Sequence, residues 1–533
     1  MHSHTRPSMR RSLLVPVVTF AALVASSLTA QQLPVAAPAD LDAYVSGVLR
    51  TFSVPGMAVT IVKDGKVLVA KGYGIRTLGD TARVTGSTRF GIASNSKAFT
   101  ATALAMLVDE GKVEWDKPVV TYLPQFALSD PFVTRNITVR DLLVHRSGLG
   151  LGAGDLLWWP ASTYTRKQIM HRLRDIPLST SFRSAYAYDN VLYLVAGEVI
   201  ETVSGKSWED FIAERILTPL GMTQTTTRHS DAESSGNVAS THAFVGGTLQ
   251  RVKAMTSDNT NPAGGINSTA GDVAKWLIAQ LDSGRTGSAR LWSQRAQRTL
   301  WTGVTPMPFG VPTGPLGAVA PQFRLYALGF DVQDYRGIKI ATHTGGLPGY
   351  VSEVTFVPSL KLGIAVFTNQ ESGAAFRSVS YRVLDHFMGA APTDWRAVFD
   401  SLEKSAAAAL VTRVSGASTA RDSLSKPSLP IERYAGRYTD SWYGDVTVTV
   451  HNGGLSLAMM PTPELVGELQ HWQYDTFVVR WKDRSLRADA FITFQLTPDG
   501  KVESAKMAPF SDEVDFSFDF QDLKLIRDRR TSP

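Results

Sequence analysis

Two short apolar runs near the start of the chain predict a β-hairpin. Residues 58–62 and 67–70 are mostly β-branched or otherwise apolar, and they flank Lys63-Asp64-Gly65-Lys66. An Asp-Gly pair between such runs is typical of a tight two-residue turn, because both central positions need positive φ angles. We therefore expect two antiparallel strands joined at this pair.

A longer segment, residues 95–110, predicts a helix that is buried on all sides. Its residues are good helix formers, apolar side chains occur on nearly every face, and Gly111 follows as a C-terminal stop. A surface helix would carry a polar stripe, so we expect this one in the middle of a domain. Ser94 stands at its N-terminal edge.

The pattern changes towards the end of the chain. Residues 395–414 predict a helix, and residues 415–430, rich in Ser, Ala, Thr and Pro, predict a linker. From Ile431 onward, short alternating runs are separated by turn signals such as Asn452-Gly453-Gly454. These short strands predict a separate β-barrel or sandwich.

Length and composition agree with more than one folded region. A chain of 533 residues is too long for a single compact domain, and a hydrophobic fraction of 44% is typical of globular proteins. The sequence has no cysteine, which excludes disulfides, thiolate–metal sites and a cysteine nucleophile. His451 and His471 lack metal-ligand spacing, and we predict neither a metal site nor a cofactor.

The first thirty residues predict an export signal. Arg10-Arg11 precedes an apolar stretch over residues 13–25, and small polar residues lead to Ala30, the expected cleavage position. A buried N-terminal helix is the less favoured alternative. The stretch is too short to span a bilayer comfortably, and no later stretch is long and apolar enough. We expect a periplasmic or secreted protein without a stable membrane span after signal removal.

Net charge excludes nucleic acid as a partner. The formal charge is +6, but Arg6, Arg10 and Arg11 belong to the predicted signal, and the remaining chain has 51 basic against 48 acidic residues. So small an excess over so long a chain provides no electrostatic footprint for a polyanion.

The sequence Ser94-Asn95-Ser96-Lys97 offers a nucleophile and a base. Residues three apart on a helix share a face, so the Ser94 hydroxyl and the Lys97 amine can touch. A buried amine can lose its proton and activate a serine. Ser-x-x-Lys also occurs at Ser401 and at Ser423, where no pocket is expected, so the spacing alone is weak evidence. Its structural alternative is a helix-capping serine beside a surface lysine.

Two further motifs follow Ser94 in the chain. Tyr188-Asp189-Asn190 is its only Tyr-x-Asn, and His343-Thr344-Gly345 is its only His-Thr-Gly. Ser-x-x-Lys, Tyr-x-Asn and a strand motif ending in Thr-Gly, in this order, resemble the class C β-lactamases. They also resemble related D-alanyl-D-alanine carboxypeptidases, D-aminopeptidases and lipase-like esterases. Residues 138–149 and Pro219-Leu220-Gly221-Met222 match recurrent segments of the same family, and the likeness spans roughly residues 40–388.

The resemblance implies roles for individual residues. Ser94 would form an acyl-enzyme, with Lys97 and Tyr188 as its activating partners. The sequence leaves open which of the two is the base, since the pair titrates as one coupled unit. Asn190 would hold the substrate amide or Lys97, and Gly345 and Gly346 belong to the strand motif. The N–H groups of Ser94 and Gly346 would form the oxyanion hole.

One position departs from the family pattern. The lactamases usually carry lysine where this chain has His343, and that lysine helps to hold a substrate carboxylate. Imidazole is mostly neutral at pH 7, so a fixed cation is lost or becomes pH-dependent. We expect weak or absent lactamase activity. His145 is interpreted as structural, and Tyr186, which lacks an Asn two positions on, as a less favoured rival of Tyr188.

The resemblance also implies a fold and a function. We expect an α+β domain, with an antiparallel sheet flanked by helices and built from both ends of the hydrolase region, an inserted helical subdomain, and a small lipocalin-like barrel. The predicted boundaries are 1–30 for the signal, 31–390 for the hydrolase, 391–430 for helix and linker, and 431–533 for the barrel.

The favoured function is hydrolysis of esters or of D-amino-acid amides and peptides. A β-lactamase or D-alanyl-D-alanine carboxypeptidase is the enzymatic alternative, and a non-catalytic ligand-binding or sensor protein on the same fold is the other. The expected partner is a small-molecule or short-peptide substrate. Oligomeric state stays open.

Overall fold

A computed structural model describes residues 33–419 and 421–528, so the predicted signal segment lies outside the described residues. The helices are α1 (Leu41–Thr51), α2 (Ser96–Asp109), α3 (Pro131–Asn136), α4 (Arg166–Arg172), α5 (Val191–Ser204), α6 (Trp208–Ile212), α7 (Thr218–Leu220), α8 (Asn261–Gly264), α9 (Ala270–Leu281), α10 (Gln294–Leu300), α11 (Gly373–Phe387) and α12 (Trp395–Thr419). None of the helices in these ranges is long and apolar enough to cross a membrane.

The strands before the barrel are β1 (Gly56–Lys63), β2 (Lys66–Gly74), β3 (Phe90–Gly91), β4 (His242–Val245), β5 (Thr248–Arg251), β6 (Asn267–Ser268), β7 (Arg285–Thr286), β8 (Ala289–Arg290), β9 (Thr305–Pro306), β10 (Arg324–Tyr326), β11 (Asp331–Tyr335), β12 (Ile338–Leu347), β13 (Tyr350–Val357) and β14 (Leu362–Thr368). The strands of the barrel are β15 (Gly436–Asp440), β16 (Gly444–His451), β17 (Gly454–Met459), β18 (Val466–Gln473), β19 (Thr476–Trp481), β20 (Ala490–Leu496), β21 (Val502–Pro509) and β22 (Leu525–Arg527).

The main sheet joins segments from both ends of the hydrolase region. Its strand order is β2-β1-β14-β13-β12-β11-β10-β9, and the neighbouring strands are antiparallel. The predicted hairpin is present between β1 and β2, with φ of 51° at Asp64 and 74° at Gly65. These positive angles are the conformation that an Asp-Gly turn tolerates.

Helices cover both faces of this sheet, which is the α+β architecture that the resemblance implied. Helices α1, α11 and α12 share an apolar cluster with one face. The other face packs against α9 and the helical subdomain inserted between β2 and β9. Within that subdomain α2 contacts α5, α8 and α10, and residues 96–107 are all buried. The prediction of a helix buried on every side is therefore confirmed.

The terminal region forms a closed antiparallel barrel of β15 to β22 in the described part of the chain. Closure is made by β15 and β22, where Tyr438 pairs with Arg527. The alternation seen in the sequence has a structural cause, since Val446 and Val448 point into the barrel and are buried. Helix α12 continues to Thr419, past the predicted Val414, because the Ser/Gly/Ala run at its end contains no proline to stop it.

Candidate active site

Ser94, the candidate nucleophile, lies where a tight turn enters α2. Residues Ala93–Asn95 form a single 3₁₀ turn, and Ala93 adopts a φ of 51°, a left-handed conformation that non-glycine residues seldom hold. Such a conformation persists only where the surroundings fix it, and Gly345 does so by close approach. A Cβ at Gly345 would lie 2.5 Å from the Ile92 carbonyl oxygen and 2.9 Å from the Ala93 Cβ. Gly345 therefore lets β12 pack directly against the turn that carries Ser94.

Lys97 lies one turn beyond Ser94, in the first turn of α2, and is completely buried. Its Nζ lies 2.9 Å from Ser94 Oγ, 2.7 Å from Asn190 Oδ1 and 3.0 Å from the Ala263 carbonyl oxygen. Burial lowers the pKa of Lys97 to about 7, although the carboxylates of Asp155 and Asp189 oppose the shift. A substantial fraction of this amine is therefore unprotonated near neutral pH.

Tyr188 reaches the same hydroxyl from the opposite side. Its phenol OH donates to Ser94 Oγ at 2.9 Å, while Lys97 Nζ lies over the Tyr188 ring, 4.9 Å from the centroid. Burial raises the pKa of Tyr188 well above its usual value, so the phenol keeps its proton. The rival Tyr186 lines the same cavity, and the hydrogen bond to Ser94 comes from Tyr188.

Asn190 connects the lysine to a carboxylate that the sequence analysis missed. Its Oδ1 accepts from Lys97, and its Nδ2 donates to Asp155 Oδ2 at 2.8 Å. The other oxygen of Asp155 accepts from Trp158 Nε1 at 2.9 Å. Burial raises the pKa of Asp155 to about 7, opposed by these donors. Of the two roles considered for Asn190, the structure shows the contact with Lys97.

His343 is a neutral imidazole with both nitrogens in use. Its Nδ1 lies 2.5 Å from the Thr344 carbonyl oxygen and so carries the proton, which leaves Nε2 to accept from Tyr326 OH at 2.8 Å. Burial, helped by the nearby charge of Lys97, lowers the pKa of His343 to about 3. The ring therefore supplies no cation for a carboxylate at physiological pH.

His145 packs against the ring of Tyr188. Its ring centroid is 4.3 Å from that of Tyr188 and 4.4 Å from that of Tyr326, and its Nδ1 accepts from the Asp189 backbone N–H at 3.2 Å. Burial lowers the pKa of His145 well below the usual value. These contacts describe a packing residue that supports the phenol.

A cavity of about 760 Å³ opens onto Ser94. Tyr188, His343 and Gly346 line it, and so do Phe516 and Ser517 from the barrel. Within residues 33–419 and 421–528, no group of three or more histidine, aspartate or glutamate side chains is arranged to hold a metal ion.

Sequence comparison assigns the family. The β-lactamase family model matches residues 41–386, and a model of a domain of unknown function, DUF3471, matches residues 420–527. An unguisins hydrolase of Aspergillus campestris is 32% identical over 434 residues, which covers 77% of each chain. Penicillin-binding protein 4 of Amycolatopsis lactamdurans is 28% identical over 63% of this chain and 86% of its own. The chain belongs to the β-lactamase family of serine hydrolases.

Solved structures share the fold. The octameric penicillin-binding protein homologue from Pyrococcus abyssi matches with a TM-score of 0.56 at 21% identity, over 92% of this chain and 99% of its own. The D-amino acid amidase from Ochrobactrum anthropi, complexed with L-phenylalanine, also gives 0.56 at 21% identity, over 65% of this chain and 99% of its own.

Proposed function

We propose that this protein hydrolyses esters or D-amino-acid amides and peptides through an acyl-enzyme on Ser94. The observation that carries the proposal is the position of Ser94 Oγ, 2.9 Å from both Lys97 Nζ and Tyr188 OH. A hydroxyl held between an amine of pKa about 7 and a protonated phenol has a base on one side and an acid on the other.

The proposed reaction proceeds in two half-reactions. Neutral Lys97 takes the Ser94 proton as Oγ bonds to the substrate carbonyl carbon, and the N–H groups of Ser94 and Gly346 hold the oxyanion. Tyr188 gives its proton to the leaving amine or alkoxide as the carbon–heteroatom bond breaks, and Lys97 returns a proton to the phenol. Water then attacks the acyl-enzyme ester while Lys97 accepts a proton from it, and Lys97 gives a proton to Ser94 Oγ as the bond from Oγ to the carbonyl carbon breaks, which releases the acid product and restores Ser94.

Two observations support this substrate class. The relatives include an unguisins hydrolase, and a solved structure of similar fold is named as a D-amino acid amidase, an enzyme that acts on amides by its name. Neutral His343 provides no positive charge for the carboxylate of a β-lactam or a peptide C-terminus. A lactamase or carboxypeptidase is therefore the weaker alternative, and nitrocefin turnover comparable to ester turnover would favour it.

The test compares p-nitrophenyl esters with D- and L-aminoacyl p-nitroanilides. We expect Ser94→Ala to lose turnover more than about a thousandfold. Ser401→Ala, at the exposed second Ser-x-x-Lys, is the matched control and should keep wild-type rates. Mass spectrometry after fluorophosphonate treatment should find the label on Ser94. Unlabelled Ser94 together with no hydrolysis of any of these substrates would favour the non-catalytic binding alternative.

We also propose that the chain is exported and cleaved after Ala30, on the evidence of the Arg10-Arg11 pair and the apolar stretch that follows it. N-terminal sequencing of the protein recovered outside the cytoplasm tests this, and an intact Met1 there would contradict cleavage.

A further inference from the structure

One loop of the barrel reaches the catalytic centre. Residues 515–519, which we call the barrel strap, lie between β21 and β22. Phe516 and Ser517 line the cavity that opens onto Ser94, and Phe518 packs edge-on against Trp159 of the hydrolase region, with ring centroids 6.5 Å apart. The strap therefore belongs to the barrel by sequence and to the active site by position.

Ser517 contacts the carboxylate behind the catalytic lysine. Its Oγ donates to Asp155 Oδ2 at 2.9 Å, and the same oxygen accepts from Asn190 Nδ2 at 2.8 Å. Ser517 is 4% exposed and Asp155 is fully buried, so this bond lies almost entirely out of contact with solvent. One carboxylate oxygen thus joins the barrel to the amide that holds Lys97.

Asp519 fixes the backbone on either side of that carboxylate. Its Oδ2 accepts from the Gly154 N–H at 2.7 Å, and its Oδ1 accepts from the Leu156 N–H at 3.0 Å. Asp519 is fully buried. Because these two bonds are made to the residues on either side of Asp155, they fix the position of the Asp155 backbone and so the point from which its side chain extends.

Phe516 touches the catalytic phenol. Its ring stands edge-on to Tyr188, with centroids 6.1 Å apart and planes at 89°. Its carbonyl oxygen would lie 2.7 Å from a Cβ at Gly152, and the Gly152 N–H donates to the Tyr188 carbonyl oxygen at 2.9 Å. Glycine is needed at 152 both for this approach and for its φ of 70°.

We propose that Ser517 and Asp519 of the barrel strap are positioning residues, which act through Asp155 and Asn190 to hold Lys97 against Ser94. The barrel is then a working part of the hydrolase. This inference rests on the proposed role of Lys97 as the base.

The direction of the effect follows from the donors around Asp155. Asn190, Trp158 and Ser517 all donate to it, an arrangement that suits an ionised carboxylate. Removing the Ser517 donor makes Asp155 easier to protonate. The O–H of a protonated Asp155 would then point at the Asn190 N–H. Because both groups are hydrogen-bond donors, the Asn190 side-chain amide would have to rotate away. Asn190 Oδ1 would then leave Lys97.

The experiment measures fluorophosphonate labelling of Ser94 and p-nitrophenyl acetate turnover from pH 5 to 9 in the full chain. We expect Ser517→Ala to slow both by about tenfold at pH 7, since a hydrogen bond to a charged group contributes about 1.5 to 3 kcal/mol and only part is transmitted. The acid limb of both profiles should move to higher pH. Ser517→Thr, which keeps the hydroxyl, should restore both rates at pH 7 and the wild-type position of the acid limb in both pH profiles.

Ser504→Ala is the matched control, because its hydroxyl bonds Gln495 on the barrel surface, and it should behave as wild type. Equal rates and limbs in Ser517→Ala and wild type would overturn the inference, as would slowing with an unmoved limb that threonine does not restore. If Ser517→Ala does not fold, Ser517→Cys is measured with the same expectations. A wild-type protein that neither labels nor turns over would instead overturn the proposed function.

Discussion

The interior around Lys97 and the interior of the barrel are both buried, yet their side chains differ in chemical character. The interior around Lys97 contains several charged or titratable groups without exposed surface, namely Lys97, Asp155, Asp189 and His145. Aromatic and aliphatic side chains fill the interior of the barrel, where Phe494 packs against Tyr434, Tyr438 and Phe477 with ring centroids 5.0 to 5.8 Å apart.

This difference in side-chain chemistry indicates that the region around Lys97 contributes mainly to activity and the barrel core mainly to stability. Buried ionisable groups cost free energy and are retained where their altered pKa values are used, whereas apolar burial stabilises the fold directly. We therefore expect substitutions near Lys97 to reduce activity more than stability. Substitutions inside the barrel should do the reverse, and the barrel strap should be the exception because it belongs to both.

Lys97→Met should produce the largest loss of activity. Removing the proposed base should reduce turnover by more than about a thousandfold, while the free energy of unfolding changes far less, because burial of an apolar chain offsets the loss of the hydrogen bonds to Asn190 and Ala263. Turnover measurements check the expected loss of activity, and thermal unfolding checks the expected effect on stability. Lys404→Met, at the exposed second motif, is the control and should change neither. A Lys97→Met protein that keeps its rate contradicts the proposed base.

Phe494→Ala should show the reverse behaviour. Deleting a buried phenylalanine leaves a cavity and typically costs about 3 to 5 kcal/mol of stability. The activity per folded molecule should remain near wild type, because Phe494 lies in the barrel core and outside the strap. Chemical denaturation and turnover at low temperature measure both. If activity falls by more than the fraction of unfolded protein accounts for, the barrel core also contributes to activity, and the proposed distinction between the two regions is wrong.

Tyr188→Phe should slow turnover by about a hundredfold, within the range expected for one acid–base group. Because the ring keeps its contacts with His145 and Phe516, the unfolding temperature should hardly change. Substrates with good leaving groups should be less affected than amides, since they need less proton donation. An equal loss for both kinds of substrate would argue against a donor role.

The pH profile should contain one limb near neutrality. Lys97 has a pKa of about 7 and is proposed to act unprotonated, and Asp155, also near 7, is proposed to act ionised, so kcat/KM should fall at least tenfold per pH unit below about 7 and level off above it. His343, with a pKa of about 3, should add no limb between pH 5 and 8. His343→Gln serves as the check, and a limb that disappears in this variant would show that the imidazole titrates there.

Glu464→Gln should have the smallest effect. Glu464 pairs with Lys253 across the boundary between barrel and hydrolase region, and the lysine side chain is 56% exposed. Exposed ion pairs contribute less than about 1 kcal/mol and are screened by salt. Unfolding at low and high ionic strength measures this, and a large, salt-independent loss would mean that the pair is more important than its exposure indicates.

Local patterns predicted what depends on local geometry. The hairpin at Asp64-Gly65 and the Ser94–Lys97 contact need only a turn type and a helical spacing, and both are present. The placement of Tyr188 rested on a family motif, and its hydrogen bond to Ser94 agrees. Whether it or Lys97 is the base could not be read from the sequence, because burial decides which of them gives up a proton.

Asp155 and Ser517 could not have been predicted. They are 362 residues apart, and neither stands in a periodic pattern or a recognisable motif. Their pairing depends on how the barrel lies against the helical subdomain, which a single sequence does not encode in local form. The identity of His343 was visible in the sequence, but its neutrality follows from its burial and from the nearby charge of Lys97, which only the fold determines.

That separation along the chain has a consequence for biosynthesis. Ribosomes add about 5 to 20 residues per second, so roughly 20 to 70 seconds pass between the synthesis of Asp155 and that of Ser517. During that interval the nascent chain lacks the hydroxyl that completes the buried network around Asp155. On the proposed role of Ser517, Ser94 therefore reaches its full nucleophilic competence only after residue 517 has been synthesised.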